Sequence, residues 1–340
     1  MVTNKIIRTI CYFAESPSSE TISLLDKISE PLIKKGYEIQ TKRICSPSIE
    51  KIKDLDSRFT DDYHCFAVGS LNPKQIQAQF DNLLNTKDVS FNTNLTDEKI
   101  GPEHIQILSE IIKKKASKTF NFAYTFNNPP STPFFPSAHL EKEGFSIGLQ
   151  PTNLTEDCIT LEDWFEKLKN SWGEIYDLFK ENKEFFGIDS SIAPLYTENG
   201  SLINFIKKLG VDFSQSITTN TYLRITEFLK DNNPKPVGLC GLMFPCLEDF
   251  ELADEYETGN FGIERNLFLS LHCGLGIDTY PIGVDENPQR VLEILLLVQG
   301  LSKKYQKPLS VRFVSDGKIK IGKRSDFQNQ FLKDVVVRPL

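Results

Sequence analysis

Short runs of β-branched and aromatic residues alternate with stretches whose apolar positions recur at helical spacing. This alternation constrains the fold more than any other feature of the chain. Ile6 to Phe13 reads as a first strand, broken by Glu15-Ser16-Pro17. From Glu20 to Lys35 the residues Ile22, Leu24, Leu25, Ile28, Leu32 and Ile33 fall at helical spacing, and Gly36 stands where a C-cap would. Tyr37 to Cys45 and Tyr63 to Val68 follow as the second and third strands. A chain that alternates in this way packs helices on a sheet, so an α/β layer architecture is expected.

The alternation continues to the end of the chain. Asn72 to Asn85 and His104 to Lys115 read as helices, with the polar stretch Asn92 to Glu98 as a connection between them. Thr119 to Phe126 reads as a strand that runs into Asn127 and the proline-rich segment Asn128 to His139. Prolines 129, 130, 133 and 136 forbid both helix and central strand there, so the segment is either a rigid surface connection or a pocket wall carrying Phe134 and Phe135. Phe145 to Leu149 reads as a further strand. Thr160 and Asp163 form a capping box for a helix from Leu161 to about Glu181, whose aromatic stripe is expected in the core.

After a short strand, Phe185 to Ile188, and helices at Leu202 to Leu209 and Thr219 to Leu229, the run Lys235 to Leu247 is nearly all apolar. It is expected to be a strand buried on both faces of a parallel sheet. His272 to Asp285 reads as a glycine-punctuated loop between two helices. Asn287 and Pro288 start a helix whose stretch Val291 to Leu301 is apolar almost all round and is expected to be buried, and Leu309 to Val314 closes as a strand. With no internal repeat and no clear boundary, residues 1–340 read as one domain.

A net charge of -7 argues against a nucleic-acid partner, which usually needs a basic footprint. The seven cysteines are scattered, odd in number and mostly within apolar segments, as small buried hydrophobes are in a reducing compartment. No C-x-x-C or H-x-x-x-H spacing suggests zinc. No segment approaches a membrane span, and Met1-Val2-Thr3-Asn4-Lys5 does not open a signal peptide, so the cytoplasm is the expected location. The expected partner is a small-molecule ligand, and the sequence leaves room for a homo-oligomer.

In parallel α/β folds ligands sit beyond the carboxyl ends of strands. That rule points to Asn128, Asp189, Glu248, Asp249 and Arg312, the glycine-punctuated loop adds Cys273 and Asp278, and the proline-rich segment adds Phe135. The candidate binding residues are Asn128, Phe135, Asp189 and Arg312, and the candidate catalytic residues are Glu248, Asp249, Cys273 and Asp278. Two carboxylates in a dry pocket would split their pKa values into a general acid and a general base. The same oxygens could instead hold a divalent cation, Mg²⁺ or Ca²⁺. Asp249, just before a helix, reads as a cap as much as a site residue. Cys273 follows a helix C-terminus, where partial negative charge disfavours a thiolate, so it reads as a nucleophile or a buried structural thiol.

The motifs Arg8-Thr9-Ile10, Asn128 to Ala138, Phe145 to Leu149, Gly187 to Pro194, Phe244 to Asp249, Cys273 to Pro281 and Lys307 to Arg312 resemble the domain of unknown function 711 family, also called uncharacterised protein family 0210. The resemblance covers nearly the whole chain. It implies a ten-stranded barrel-like α/β fold similar to the pyruvate formate-lyase and anaerobic ribonucleotide reductase barrel, in which the Cys273 loop would enter the barrel. The chain departs from the radical enzymes of that fold, since Lys320-Ile321-Gly322-Lys323 is no glycyl-radical motif. Val284-Asp285 also replaces the glycine-aspartate usual in the family's loop. The function expected is an enzyme acting on a small polar or anionic metabolite by acid/base or thiol chemistry, with Arg312 binding the anionic group. The alternative is a non-catalytic binding or regulatory protein on an enzyme-like barrel.

Overall fold

A computed structural model describes residues 5–59, 61 and 64–340. Met1 to Asn4, part of the stretch read as carrying no signal peptide, and Tyr63, the expected start of the third strand, lie outside the described residues. The rest is a mixed α/β structure with one ten-stranded sheet. Its strands are β1 (Ile6–Phe13), β2 (Glu38–Ile39), β3 (Lys42–Cys45), β4 (His64–Ser70), β5 (Val89–Asn94), β6 (Phe122–Phe126), β7 (Gly144–Leu149), β8 (Phe185–Asp189), β9 (Gly276–Pro281) and β10 (Leu309–Val314). They lie in the order β8-β7-β1-β3-β4-β5-β6-β10-β9, with the two residues of β2 also paired to β1. The expected strand Tyr37 to Cys45 is thus interrupted, both pieces adding to the same edge of β1.

Strands β1, β3, β4, β5 and β6 run parallel. On either side the direction reverses, since β7 is antiparallel to β1 and β10 to β6, while β8 and β9 continue parallel to those neighbours. The ladder is open, with β8 and β9 at its edges. Between those edges runs the segment 236–245, joined by isolated parallel bridges: Ile188 to Pro236, Ile192 to Leu242, Leu242 to Gly274 and Pro245 to Asp278.

The expected strand Lys235 to Leu247 is therefore not a regular strand. Pro236 and Pro245 have no N–H to give a ladder, and the amides of Leu239 and Cys240 donate to the Asp189 carboxylate instead. His272 to Asp285 is not a loop throughout either, because its centre is β9. Gly276 permits this at φ +110, since a Cβ there would lie 2.1 Å from the Ser310 carbonyl oxygen. The stretch read as a connection, Asn92 to Glu98, begins inside β5. Its polarity misleads because Asn92 is buried and satisfied on four sides: Oδ1 accepts from the Ser70 and Thr125 hydroxyls, and Nδ2 donates to the carbonyls of Pro136 and Ala138.

Helices cover the outer face of the sheet. In Leu161–Phe179 the stripe Trp164, Leu168, Trp172, Ile175 and Phe179 is buried, and Phe179 meets Phe145 of β7 edge-on at 5.4 Å. Thr160 and Asp163 cap this helix reciprocally. The helix Pro288–Tyr305 is buried along one side only, because Leu296 and Leu297 face outward at 44% and 48% exposure. None of the helices among the described residues is long and apolar enough to cross a membrane.

The other face of the sheet encloses a second, smaller apolar cluster of Cys11, Phe13, Cys45, Ala67 and Ala138, with Phe135 and Phe186 packed against it. Cysteine and alanine on these strands leave room for the aromatic rings. The proline-rich segment after β6 enters that space, held by the Asn92 amide.

Candidate functional site

Beside this plug lies a cavity of about 130 Å³. It sits where β3 to β6 begin and where β9 and β10 approach their carboxyl ends, with Arg43, Ser90, Ala123, Asp278 and Arg312 on its walls. Phe134 to Ser137 of the proline-rich segment form part of its lining, and Phe120 and Phe331 stack at 6.3 Å on another side.

Two β-bulges aim charged side chains into it. On β1 two residues, Ile7 to Thr9, span one step of β7, which turns Arg8 inward together with its neighbour. On β9 three steps, Ile277 to Tyr280, face two on β10, and Thr279 at φ 40 absorbs the extra residue beside Asp278. Glu248 reaches the same cavity from the turn that follows the irregular segment 236–245.

Arg312 lies between the two acids. Its Nε donates to Asp278 Oδ1 at 2.6 Å and its Nη2 to Glu248 Oε2 at 2.7 Å, while Nη1 donates to the Phe120 carbonyl and the guanidinium lies 5.0 Å from the Phe120 ring. All three side chains are at least nine-tenths buried. Burial works against the Arg312 charge, but the two carboxylates outweigh it and hold its pKa above the ordinary value. Burial raises the Glu248 pKa, Arg312 opposes this and Asp278 reinforces it, leaving Glu248 above the usual carboxylate range. Each acid keeps one carboxylate oxygen with no hydrogen bond among the described residues.

Two further arginines face the cavity. Arg8 donates to Gln40 at 3.2 Å, and Arg43 donates to Thr41 and to the Pro133 carbonyl while its guanidinium lies over the Phe135 ring at 4.8 Å. Neither forms an ion pair among the described residues. Burial, then the charge of Arg43, pull the Arg8 pKa down to about 10, so it stays charged at neutral pH.

Of the eight candidates, the structure brings four together at this cavity: Phe135, Glu248, Asp278 and Arg312. Asp189 lies elsewhere, fully buried, accepting from Thr132, from the Ser191 amide and hydroxyl, and from the amides of Leu239 and Cys240. Asp249 accepts from the Ser201 hydroxyl and the Leu202 and Leu252 amides, capping the helices Leu202–Lys208 and Phe250–Thr258 together. Asn128 donates to the Ser137 carbonyl and folds the proline-rich segment on itself. Cys273 does not enter the sheet's interior. Its thiol donates to the Leu269 carbonyl within the large apolar cluster under the helices, and burial pushes its pKa up to about 12.

Sequence reasoning missed Arg8, Arg43 and Cys65 as cavity residues. The usable signal was a charge inside an otherwise apolar strand, which is costly unless it has work to do. Cys65 is the cysteine on the cavity wall, beside Arg43 in strand register, with its pKa raised to about 11 by burial. Among the described residues no group of three or more His, Cys, Asp or Glu side chains converges to hold a metal ion.

No curated protein matches the chain. The model of a family described as uncharacterised ACR (DUF711) matches residues 67–328, a span that includes Glu248, Asp278, Arg312 and the proline-rich segment while Arg8 and Arg43 precede it. That span is well over half of the chain, which therefore belongs to the DUF711 family.

Proposed function

We propose that the cavity is the active site of an enzyme that binds a small anionic metabolite at Arg8 and Arg43 and moves a proton through Glu248. The observation that carries this is the pair of arginines without a carboxylate ion pair among the described residues, in a cavity that also holds an acid of raised pKa. Guanidinium forks suit carboxylates and phosphates, and a carboxyl group whose pKa is raised by burial suits general acid/base work. Arg312, first expected to bind the anion, is held by Asp278 and Glu248, and its role here is to keep that pair in place. Cys65 offers the cavity's thiol, and Asp189, Asp249, Asn128 and Cys273 support the structure around it.

The same proposal takes the ten-strand arrangement as a barrel, with segment 236–245 filling the gap between β8 and β9. Two oppositely directed sets of parallel strands support the likeness to the pyruvate formate-lyase barrel. Seven free cysteines support a reducing, cytoplasmic setting.

Thermal unfolding against a panel of small carboxylates and phosphates tests the site. A ligand at about a hundred times its dissociation constant stabilises the native state by about 2.7 kcal/mol. The expected result is a compound that shifts wild type and Glu248→Gln but not Arg43→Gln, and that wild type turns over while Glu248→Gln does not. Binding without turnover by wild type would identify a non-catalytic binding protein. No shift by any anion would remove the site.

A further inference from the structure

Resting on that anion-binding site, we propose that its ligand is a small zwitterion, with a carboxylate at Arg8 and Arg43 and an ammonium group at Glu248 and Asp278. Four features of the cavity lead there. Its volume of about 130 Å³ is close to the ~150 Å³ cavity that accepts benzene, so the occupant has about six non-hydrogen atoms. Its charges are sorted, with Arg8 and Arg43 forming one group and Glu248, Asp278 and Arg312 the other. One guanidinium between two carboxylates leaves the second group with excess negative charge and two oxygens that no donor among the described residues fills. Arg8 and Glu248 line the same space with opposite charges yet form no ion pair, and each is presented by a different element, a bulge on β1 and the turn after segment 236–245.

Two other ionisable groups line the wall. Asp88 is a third carboxylate there, accepting from the Asn121 amide at 2.5 Å and facing the charge of Lys118, and the Cys65 thiol is neutral at physiological pH. A dianion would set its second charge against Glu248 and Asp278. A hydroxy acid would satisfy their oxygens but supply no counter-charge. An amino acid meets both groups, and a guanidinium fork matches its planar carboxylate better than a point cation would. Phe135 beneath Arg43, and Phe134 and Met243 on the wall, leave an apolar side for a short side chain.

Isothermal titration of the full-length protein with sets of three matched compounds tests this: each protein amino acid and β-alanine, the corresponding hydroxy acid, and the corresponding primary amide. The expected result is at least one amino acid that binds, with its hydroxy acid and its amide each weaker by about ten- to a hundredfold. Arg43→Gln should weaken the amino acid and leave the weak amide unchanged, a comparison that does not disturb the Arg312 cluster. A hydroxy acid that binds as well as its amino acid overturns the zwitterion while leaving the anion site standing. An amide that binds as well as its amino acid overturns both. Failure of every amino acid at millimolar concentration overturns the zwitterion, and the anion panel then decides the site separately.

Discussion

Arg312 Nε meets Asp278 Oδ1 at 2.6 Å across two parallel strands whose register slips by one residue at that point. Without the extra residue in β9 the pleat would not present Asp278 to the same space as Arg312. Removing the guanidinium leaves Asp278 and Glu248 buried and unpaired. Arg312→Met is therefore expected to lower the unfolding free energy by about 3 to 5 kcal/mol in urea titrations. Arg312→Lys should recover little of it, because one ammonium cannot reach Asp278, Glu248 and the Phe120 carbonyl in the fork's geometry. Full recovery by lysine would show that charge alone, and not the fork, holds the cluster.

Asp249 ties two helix starts together, and burial lifts its pKa to about 7. A carboxyl group whose folded pKa lies above its unfolded value binds its proton more tightly in the native state. The stability it adds is fully present below about pH 4 and is lost as the pH rises through about 7. Asp249→Asn abolishes that titration. The stability difference between wild type and Asp249→Asn should accordingly move in favour of wild type as the pH falls from 7 to 4, measured by chemical denaturation at each pH. Ligand binding at the cavity should be unchanged, since Asp249 does not line it. A flat difference across that range would show that the helix amides keep the group ionised.

Cys273 and Cys65 should separate in a labelling experiment. Burial raises the pKa of both thiols, but Cys65 is only partly buried on the cavity wall, whereas Cys273 is 3% exposed beneath the helices. Iodoacetamide at pH 8 followed by peptide mass spectrometry is expected to modify Cys65 slowly, and Cys273 only when the protein unfolds. A cavity ligand should protect Cys65. Rapid native labelling of Cys273 would restore it as a nucleophile candidate.

Much of the fold was legible because local chemistry and packing agree. Ile6 to Phe13 is a strand with those bounds, and Thr160 with Asp163 starts a helix where the capping box says it should. Where function or closure intrudes, local patterns mislead. Asn92 looks like loop chemistry yet sits in β5, because its hydrogen bonds are made to side chains and to a distant loop that no local pattern shows. The run from Val237 to Leu247 is buried as expected from Gly241 onward but only half-buried at Val237 and Cys240, and prolines and the Asp189 clamp deny it a ladder. The strand-end rule pointed to Glu248 and Arg312, and the polar loop to Asp278, all three of which line the cavity. The rule could not find Arg8 or Arg43, which stand near the starts of their strands, at the end of the sheet where the oppositely directed β9 and β10 approach their carboxyl ends.

Gly238 offers the sharpest test of how segment 236–245 is held. At φ +73 it passes so close to β8 that an added Cβ would lie 2.3 Å from Asp189 Oδ2 and 2.9 Å from the Thr132 Cα. Neither neighbour can yield easily, since Asp189 is fixed by five donors and Thr132 belongs to the proline-rich segment. Gly238→Ala is expected to cost about 3 kcal/mol of stability. Asp189→Asn gives up the charge that gathers those donors, and should speed hydrogen exchange at Leu239 and Cys240 before it affects the amides of β3 and β4. If exchange at those two amides stays as slow as in wild type, the carboxylate does not hold the segment, and the link between β8 and β9 rests on the isolated bridges alone.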